Sequence, residues 1–174
     1  MDLQDSWLEA WRFAALAHHG QKVPGSRLPY VVHFGAVGME VVMAHQAAPF
    51  AQPALAVQCA LLHDVLEDTK VTIDELAGRF GAAVASGVGA LTKDKRLART
   101  ERMADSVRRI RLQPVEIWAV KLADRITNLQ PPPRAWDDEK IEAYRREAQY
   151  LLAELGPAHA PLAARLARKI QAYP

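Results

Sequence analysis

The stretch Pro53-Ala54-Leu55-Ala56-Val57-Gln58-Cys59-Ala60-Leu61-Leu62 is apolar at every position but Gln58, and it runs straight into His63-Asp64-Val65-Leu66-Glu67-Asp68. A helix that is apolar nearly all round has to be surrounded by other helices. The run therefore demands a helical assembly with this segment, expected to span 53 to about 67, near its centre. It also sets an imidazole and three carboxylates at the end of a buried rod. At about 100° per residue, His63, Asp64, Glu67 and Asp68 share one arc, and Cys59, Leu62, Val65 and Leu66 take the opposite one. Three carboxylates so close repel one another in poorly solvated surroundings, and a bound cation would relieve the repulsion.

Helix signals recur from end to end. Ser6-Trp7-Leu8-Glu9 reads as a capping box, with Trp7, Trp11, Ala14 and His18 on one face of the helix it opens and Gly20 at its end. A loop rich in Gly, Pro and basic residues follows to Leu28. A second helix is expected from 29 to about 45, with Pro29 in its first turn. Thr72-Ile73-Asp74-Glu75 is another capping box, and the helix it opens is interrupted by Gly81 before a further one to Leu91. Residues 93–111 are basic and poorly periodic, a loop followed by a surface helix. A buried helix over 114–129 ends at Pro131-Pro132-Pro133, which stops it rigidly. Residues 138–155 carry apolar side chains at 141, 144, 148, 151, 152 and 155, an amphipathic helix broken by Gly156-Pro157; a last helix covers 161–173. No segment alternates like a strand. The expected fold class is all-α, and 174 residues make one domain, 1–174.

Composition excludes several functions. Half the residues are hydrophobic and 24% charged, which is globular and not disordered. A net charge of +2 is too weak to predict nucleic acid or membrane as a partner. The single cysteine, Cys59, cannot form an internal disulfide and sits in an apolar run as a core thiol. No apolar run approaches the ~20 residues of a membrane span, and Met1 to Asp5 show no leader pattern. A soluble, cytoplasmic protein is expected.

Two further segments bear on the chemistry. Asp124 falls inside the apolar run Ile117-Trp118-Ala119-Val120-Lys121-Leu122-Ala123-Asp124, where a bare carboxylate is costly unless a metal or a cation such as Lys121 or Arg125 compensates it. Asn128 lies one turn on, on the same face. His33 is the histidine near the apolar start of the second helix. Two imidazoles and two carboxylates from three helices suit a divalent transition ion with positions left open for water and substrate. Such ions make hydroxide available at neutral pH. Glu67 and Asp68 lie next to the set, placed to orient water or shuttle its proton.

In order, Ala17-His18-His19-Gly20-Gln21, Pro29-Tyr30-Val31-Val32-His33, Leu61-Leu62-His63-Asp64-Val65-Leu66-Glu67-Asp68-Thr69, Leu91-Thr92-Lys93 and Lys121-Leu122-Ala123-Asp124-Arg125-Ile126-Thr127-Asn128 resemble the hydrolase domain of RelA/SpoT-type alarmone enzymes over most of the chain. At this length the chain is similar to the stand-alone small alarmone hydrolases. The resemblance implies an HD-type all-helical domain that binds Mn2+ through His33, His63, Asp64 and Asp124 and removes the 3′-pyrophosphate from (p)ppGpp. It implies that Glu67 and Asp68 activate water. It assigns Asn128 to the sugar–phosphate region and Lys93 to substrate phosphate, and Lys140 with Tyr144 to holding the nucleotide. Where the family has Arg-Lys packing on the base, only Lys22 stands here, followed by Val23 and Pro24. Arg27 is expected to substitute, so base recognition should be relaxed.

Rival readings are a related nucleotide substrate (an adenine alarmone, or the 2′-phosphate of NADPH) and a domain that binds alarmone as a sensor without cleaving it. A nucleic-acid-binding module would rest only on Lys93, Lys95, Arg96, Arg99, Arg102, Arg108, Arg109 and Arg111, which read better as a solvated face. His18 is expected to buttress the site, and His45 and His159 to lie on the surface.

Overall fold

A computed structural model describes residues 2–174. The helices are α1 (Leu3–Ala17), α2 (Val31–Ala47), α3 (Pro53–Leu62), α4 (Val65–Asp68), α5 (Ile73–Phe80), α6 (Ala82–Leu91), α7 (Arg102–Ile110), α8 (Val115–Asn128), α9 (Asp138–Leu155) and α10 (Ala160–Ala172), with a 3-10 turn at Gly156–Ala158. The fold is all-α. Among the described residues the extended structure is one isolated bridge between Lys22 and Pro29. None of the described helices is long and apolar enough to cross a membrane.

The apolar run behaves as its composition requires. Every α3 residue from Leu55 to Leu62 is buried, and α3 packs against α1, α2, α6 and α8. Its first turn is held from α8, where the fully buried Glu116 accepts the Gln52 N–H at 2.9 Å, a carboxylate at the positive end of a helix. Helix α8 is the second centre, buried from Ile117 to Ile126 apart from Trp118 and enclosed by α2, α3, α9 and α10. Small residues set the close approaches. A Cβ on Gly38 of α2 would lie 2.6 Å from the Trp7 ring of α1, and one on Gly87 of α6 would lie 2.6 Å from Ile117 of α8.

Several boundaries differ from the sequence reading. Helix α1 opens one turn early because the Asp2 carboxylate accepts the Asp5 N–H at 2.8 Å; Ser6 is buried inside the helix, its hydroxyl donating to the Asp2 carbonyl. Pro29 lies outside α2, pinned in the bridge to Lys22. The expected 53–67 helix breaks after Leu62 and resumes as the single turn α4, so His63 and Asp64 occupy a junction and not a continuous face. Helix α7 is strongly amphipathic: Met103, Val107 and Ile110 are buried at i, i+4 and i+7, and its arginines hid the period. His159 is buried, capping α10 and bonding the Ala48 carbonyl at 2.9 Å, and His45 is half-buried, accepting the Phe50 N–H at 3.0 Å. Thr72 caps α5, Gly81 (φ +87) separates α5 from α6, and α9 runs over the residues expected. Cys59 is a buried thiol, pushed up by desolvation.

Candidate metal centre

Three helix ends and one helix interior meet at a point. His33 comes from the first turn of α2, His63 and Asp64 from the α3–α4 junction, and Asp124 from the middle of α8. The His33 and His63 Nε2 atoms are 3.1 Å apart. Asp64 Oδ2 lies 2.9 Å from His63 Nε2 and 3.4 Å from His33 Nε2, and Asp124 Oδ1 lies 3.7 Å from each. His33, His63 and Asp64 each offer one ligand atom within 4.8 Å of the others. Both histidines and Asp124 are buried.

The surrounding contacts aim these atoms. The His63 Nδ1–H donates to the Ala60 carbonyl at 2.9 Å, so its Nε2 lone pair faces inward. Asp124 Oδ2 accepts from Lys121 Nζ at 2.9 Å, and Oδ1 accepts from Asn128 Nδ2 at 2.5 Å. The pairing with Lys121 that could have replaced a metal exists alongside the cluster: it occupies the far oxygen and leaves Oδ1 facing the imidazoles. Tyr30 OH donates to Asp64 Oδ2 at 2.5 Å.

The electrostatics call for positive charge. Burial opposes a charged His63, yet the facing Asp64 and Asp124 outweigh it and raise the imidazole to about 10. Burial also opposes the Asp64 and Asp124 carboxylates; His63 acting on Asp64, and Lys121 with His63 acting on Asp124, hold both below the usual range. Two borderline nitrogen and two hard oxygen donors, converging and short of positive charge, fit a divalent metal ion. Asp68 moves the other way, raised by burial and by the nearby Asp64 and Glu67.

The cluster floors a cavity of about 200 Å³ walled by Val23, Pro24, Tyr30, Glu67, Asp68, Leu91, Lys93, Lys121 and Asn128. Glu67 is fixed at its rim: the Lys93 N–H donates to Oε2 at 3.1 Å and Lys95 Nζ to the Glu67 carbonyl at 2.7 Å.

The His63-Asp64 pair, joined by His33 and Asp124 from other helices, lies within residues 10–166, which match a family model described as HD domain. The chain belongs to the HD-domain family. This HD-domain chain is 34% identical over 142 residues to guanosine-3′,5′-bis(diphosphate) 3′-pyrophosphohydrolase MESH1 of Mus musculus, covering 79% of this chain and 77% of that one. It is 31% identical over 164 residues to MESH1 of Danio rerio, covering 91% and 89%. A protein of Vibrio cholerae with the same enzyme name is 36% identical over 156 residues, but these are 20% of its length. Among solved structures, one described as a metazoan ortholog of SpoT that hydrolyzes ppGpp superposes with a TM-score of 0.83 at 26% identity, over 95% of this chain and 94% of that one. A Listeria monocytogenes protein shares the fold with a TM-score of 0.67 at 23% identity.

Of the residues singled out in the sequence, the HD-domain cavity gathers His33, His63, Asp64, Asp124, Glu67, Asp68, Lys93 and Asn128. Lys22 and Arg27 line a separate hollow of about 370 Å³ on the other side of Tyr30, while their neighbours Val23 and Pro24 face the cluster. Lys140 and Tyr144 are not among the cavity walls. Lys140 Nζ stands 4.4 Å over the Trp136 ring, and Tyr144 meets Trp136 edge-on while the Arg125 guanidinium lies 4.3 Å from its ring. The basic stretch is largely satisfied from within, Arg109 alone reaching the Gly89, Ala90 and Thr92 carbonyls and Asp105. Sequence reasoning gave no role to Tyr30, although it sits one turn before His33.

Proposed function

We propose that the chain hydrolyses the 3′-pyrophosphate of (p)ppGpp with Mn2+ bound by His33, His63, Asp64 and Asp124, acting in the cytoplasm as one domain over 1–174. The convergence of two imidazole nitrogens and two carboxylate oxygens beneath a cavity rimmed by Glu67, Asp68 and Lys93 carries this reading. The activity for which its relatives are named supports the substrate.

When bound, the ion lowers the pKa of a water molecule enough to supply a nucleophile near neutral pH. The remaining work falls to side chains. Glu67, tethered by the Lys93 N–H, orients the attacking water. Asp68, whose carboxyl is raised, holds a proton nearer neutrality than an ordinary aspartate and suits its transfer. The Lys93 side chain neutralises phosphate charge at the wall, and Asn128 contacts the sugar–phosphate region. Water adds to the phosphorus next to the ribose, the bond to O3′ breaks, O3′ takes a proton, and pyrophosphate departs.

A cavity of about 200 Å³ is smaller than the ~300–1,000 Å³ of whole-ligand pockets. It accommodates the pyrophosphate end and leaves the base beyond the mouth. Lys22 and Arg27 of the 18–30 loop and the Lys140–Tyr144 pair of α9, none of which walls that cavity, are assigned the nucleoside. A stacking grip of this kind is tolerant of base identity. The sensor reading is disfavoured because binding alone has no use for Glu67 and Asp68 beside the cluster.

The test is kcat/KM for ppGpp, its adenine analogue and NADPH on one manganese-loaded preparation, with products resolved by anion exchange. Release of pyrophosphate from ppGpp, with the adenine analogue also cleaved, is expected. Dephosphorylation of NADPH with neither alarmone cleaved would overturn the substrate and leave the metal site standing.

A further inference from the structure

The C-terminal end of α1 reaches the cluster through two separate connections. His18 is 4% exposed and lies flat on Tyr30, ring centroids 4.5 Å apart at 26°. Tyr30 in turn donates to Asp64 Oδ2 at 2.5 Å, the same oxygen that faces both imidazoles. His18 Nδ1–H also donates to Gln21 Oε1 at 2.8 Å, which fixes that side chain and turns its amide nitrogen outward. Gln21 Nε2 then donates to the Asp68 carbonyl at 2.7 Å, at the last residue of α4. The backbone closes the unit, with the Tyr30 N–H on the Gln21 carbonyl at 3.0 Å. One buried imidazole thus supports two arms, one ending on a ligand oxygen and the other on the backbone of the proton-handling aspartate.

We propose that His18, Gln21 and Tyr30 are positioning residues with divided tasks: Tyr30 sets the grip of Asp64 on the metal, and Gln21 sets the placement of Asp68 for turnover. The inference rests on the metal reading above. A phenol hydroxyl on a ligating carboxylate fixes which lone pair faces the ion, and outer contacts of this kind are worth roughly 10–100-fold in metal affinity or activity. The Gln21 contact touches no ligand. It holds the Asp68 end of the one-turn helix α4, whose Glu67 is tied separately by Lys93 and Lys95, so its loss lets Asp68 drift from the attacking water. Since the hydrogen bonds of the Gln21 side chain go to His18 and the Asp68 carbonyl and not to a ligand, removing it leaves the four ligand side chains with their own hydrogen bonds.

Tyr30→Phe keeps the ring, its stacking on His18 and the fold while deleting the hydroxyl. Gln21→Met keeps length and deletes both hydrogen bonds. Mn2+ binding to metal-stripped protein by calorimetry, with helical circular dichroism alongside, separates the arms. Tyr30→Phe is expected to weaken Mn2+ binding about tenfold and to recover kcat when Mn2+ is in excess. Gln21→Met is expected to bind Mn2+ like the parent and to keep a reduced kcat at saturating Mn2+ and substrate. Parent-like Mn2+ affinity in Tyr30→Phe, or an unchanged kcat in Gln21→Met, overturns the division. A parent protein that takes up no Mn2+ at all refutes the metal reading itself, an outcome distinct from either variant result.

Discussion

Asp124 receives Lys121 on one oxygen and Asn128 on the other, and still turns Oδ1 toward both imidazoles. Its place in an apolar run made it conspicuous in the sequence, as the acid cluster did for His63 and Asp64. Tyr30 was not conspicuous, because a tyrosine at a helix start is an ordinary core residue until its hydroxyl is seen to point at a carboxylate. The division of roles predicts that Asp124→Asn lowers metal content by elemental analysis, while Glu67→Gln retains the metal and loses about 10²-fold or more in turnover; equal loss of metal in both would make Glu67 a ligand. His63 supplies a pH signature. Its pKa is raised from 6.5 to about 10, so in metal-free protein it contributes stability fully present below about pH 6.5 and lost as pH rises toward 10. A divalent metal bound there would take the place of that proton, so the gap in Tm between loaded and chelated protein should widen across this window. A gap that is constant with pH would contradict the coupling.

Elements were legible in proportion to how cleanly local chemistry marked them. Thr72, Gly81 and the apolar spacing of α9 marked their helices almost to the residue. The break between α3 and α4 was hidden, because nothing between Leu62 and Val65 forbids a helix; it lies at Asp64, whose backbone departs from helical values at φ −103, ψ −3. Helix α7 was obscured by its arginines, of which Arg102 and Arg109 serve as ties while Arg108 is solvated as expected. Arg109 satisfies carbonyls at the C-terminal end of α6 and pairs with Asp105 within α7. Hydrogen bonds to charged groups are worth about 1.5–3 kcal/mol, and this guanidinium is partly exposed, so Arg109→Ala should destabilise the protein by about 2 kcal/mol in urea unfolding, with kcat little changed. A loss within a few tenths of a kcal/mol would show that the α6 end is capped by water as well.

For the molecule as a whole, α3 and α8 bury their own apolar faces independently of any ion. Chelation should therefore abolish turnover and leave helical circular dichroism intact; loss of the helical signal would make the metal structural. The fold class could be read from patterning, and motif order drew attention to His33, His63, Asp64 and Asp124, whose side chains the fold sets together. The paths of the 18–30 loop and of α9 could not, because which hollow Lys22 and Arg27 line depends on a turn pinned by the Lys22–Pro29 bridge. In the proposed reaction water is added at the phosphorus next to the ribose and O3′ leaves. Turnover of ppGpp in ¹⁸O-labelled water with manganese-loaded protein, followed by mass spectrometry of both products, distinguishes this from attack elsewhere. The label is expected in pyrophosphate, with none in GDP. Label in the nucleoside product, or orthophosphate released in place of pyrophosphate, would contradict it.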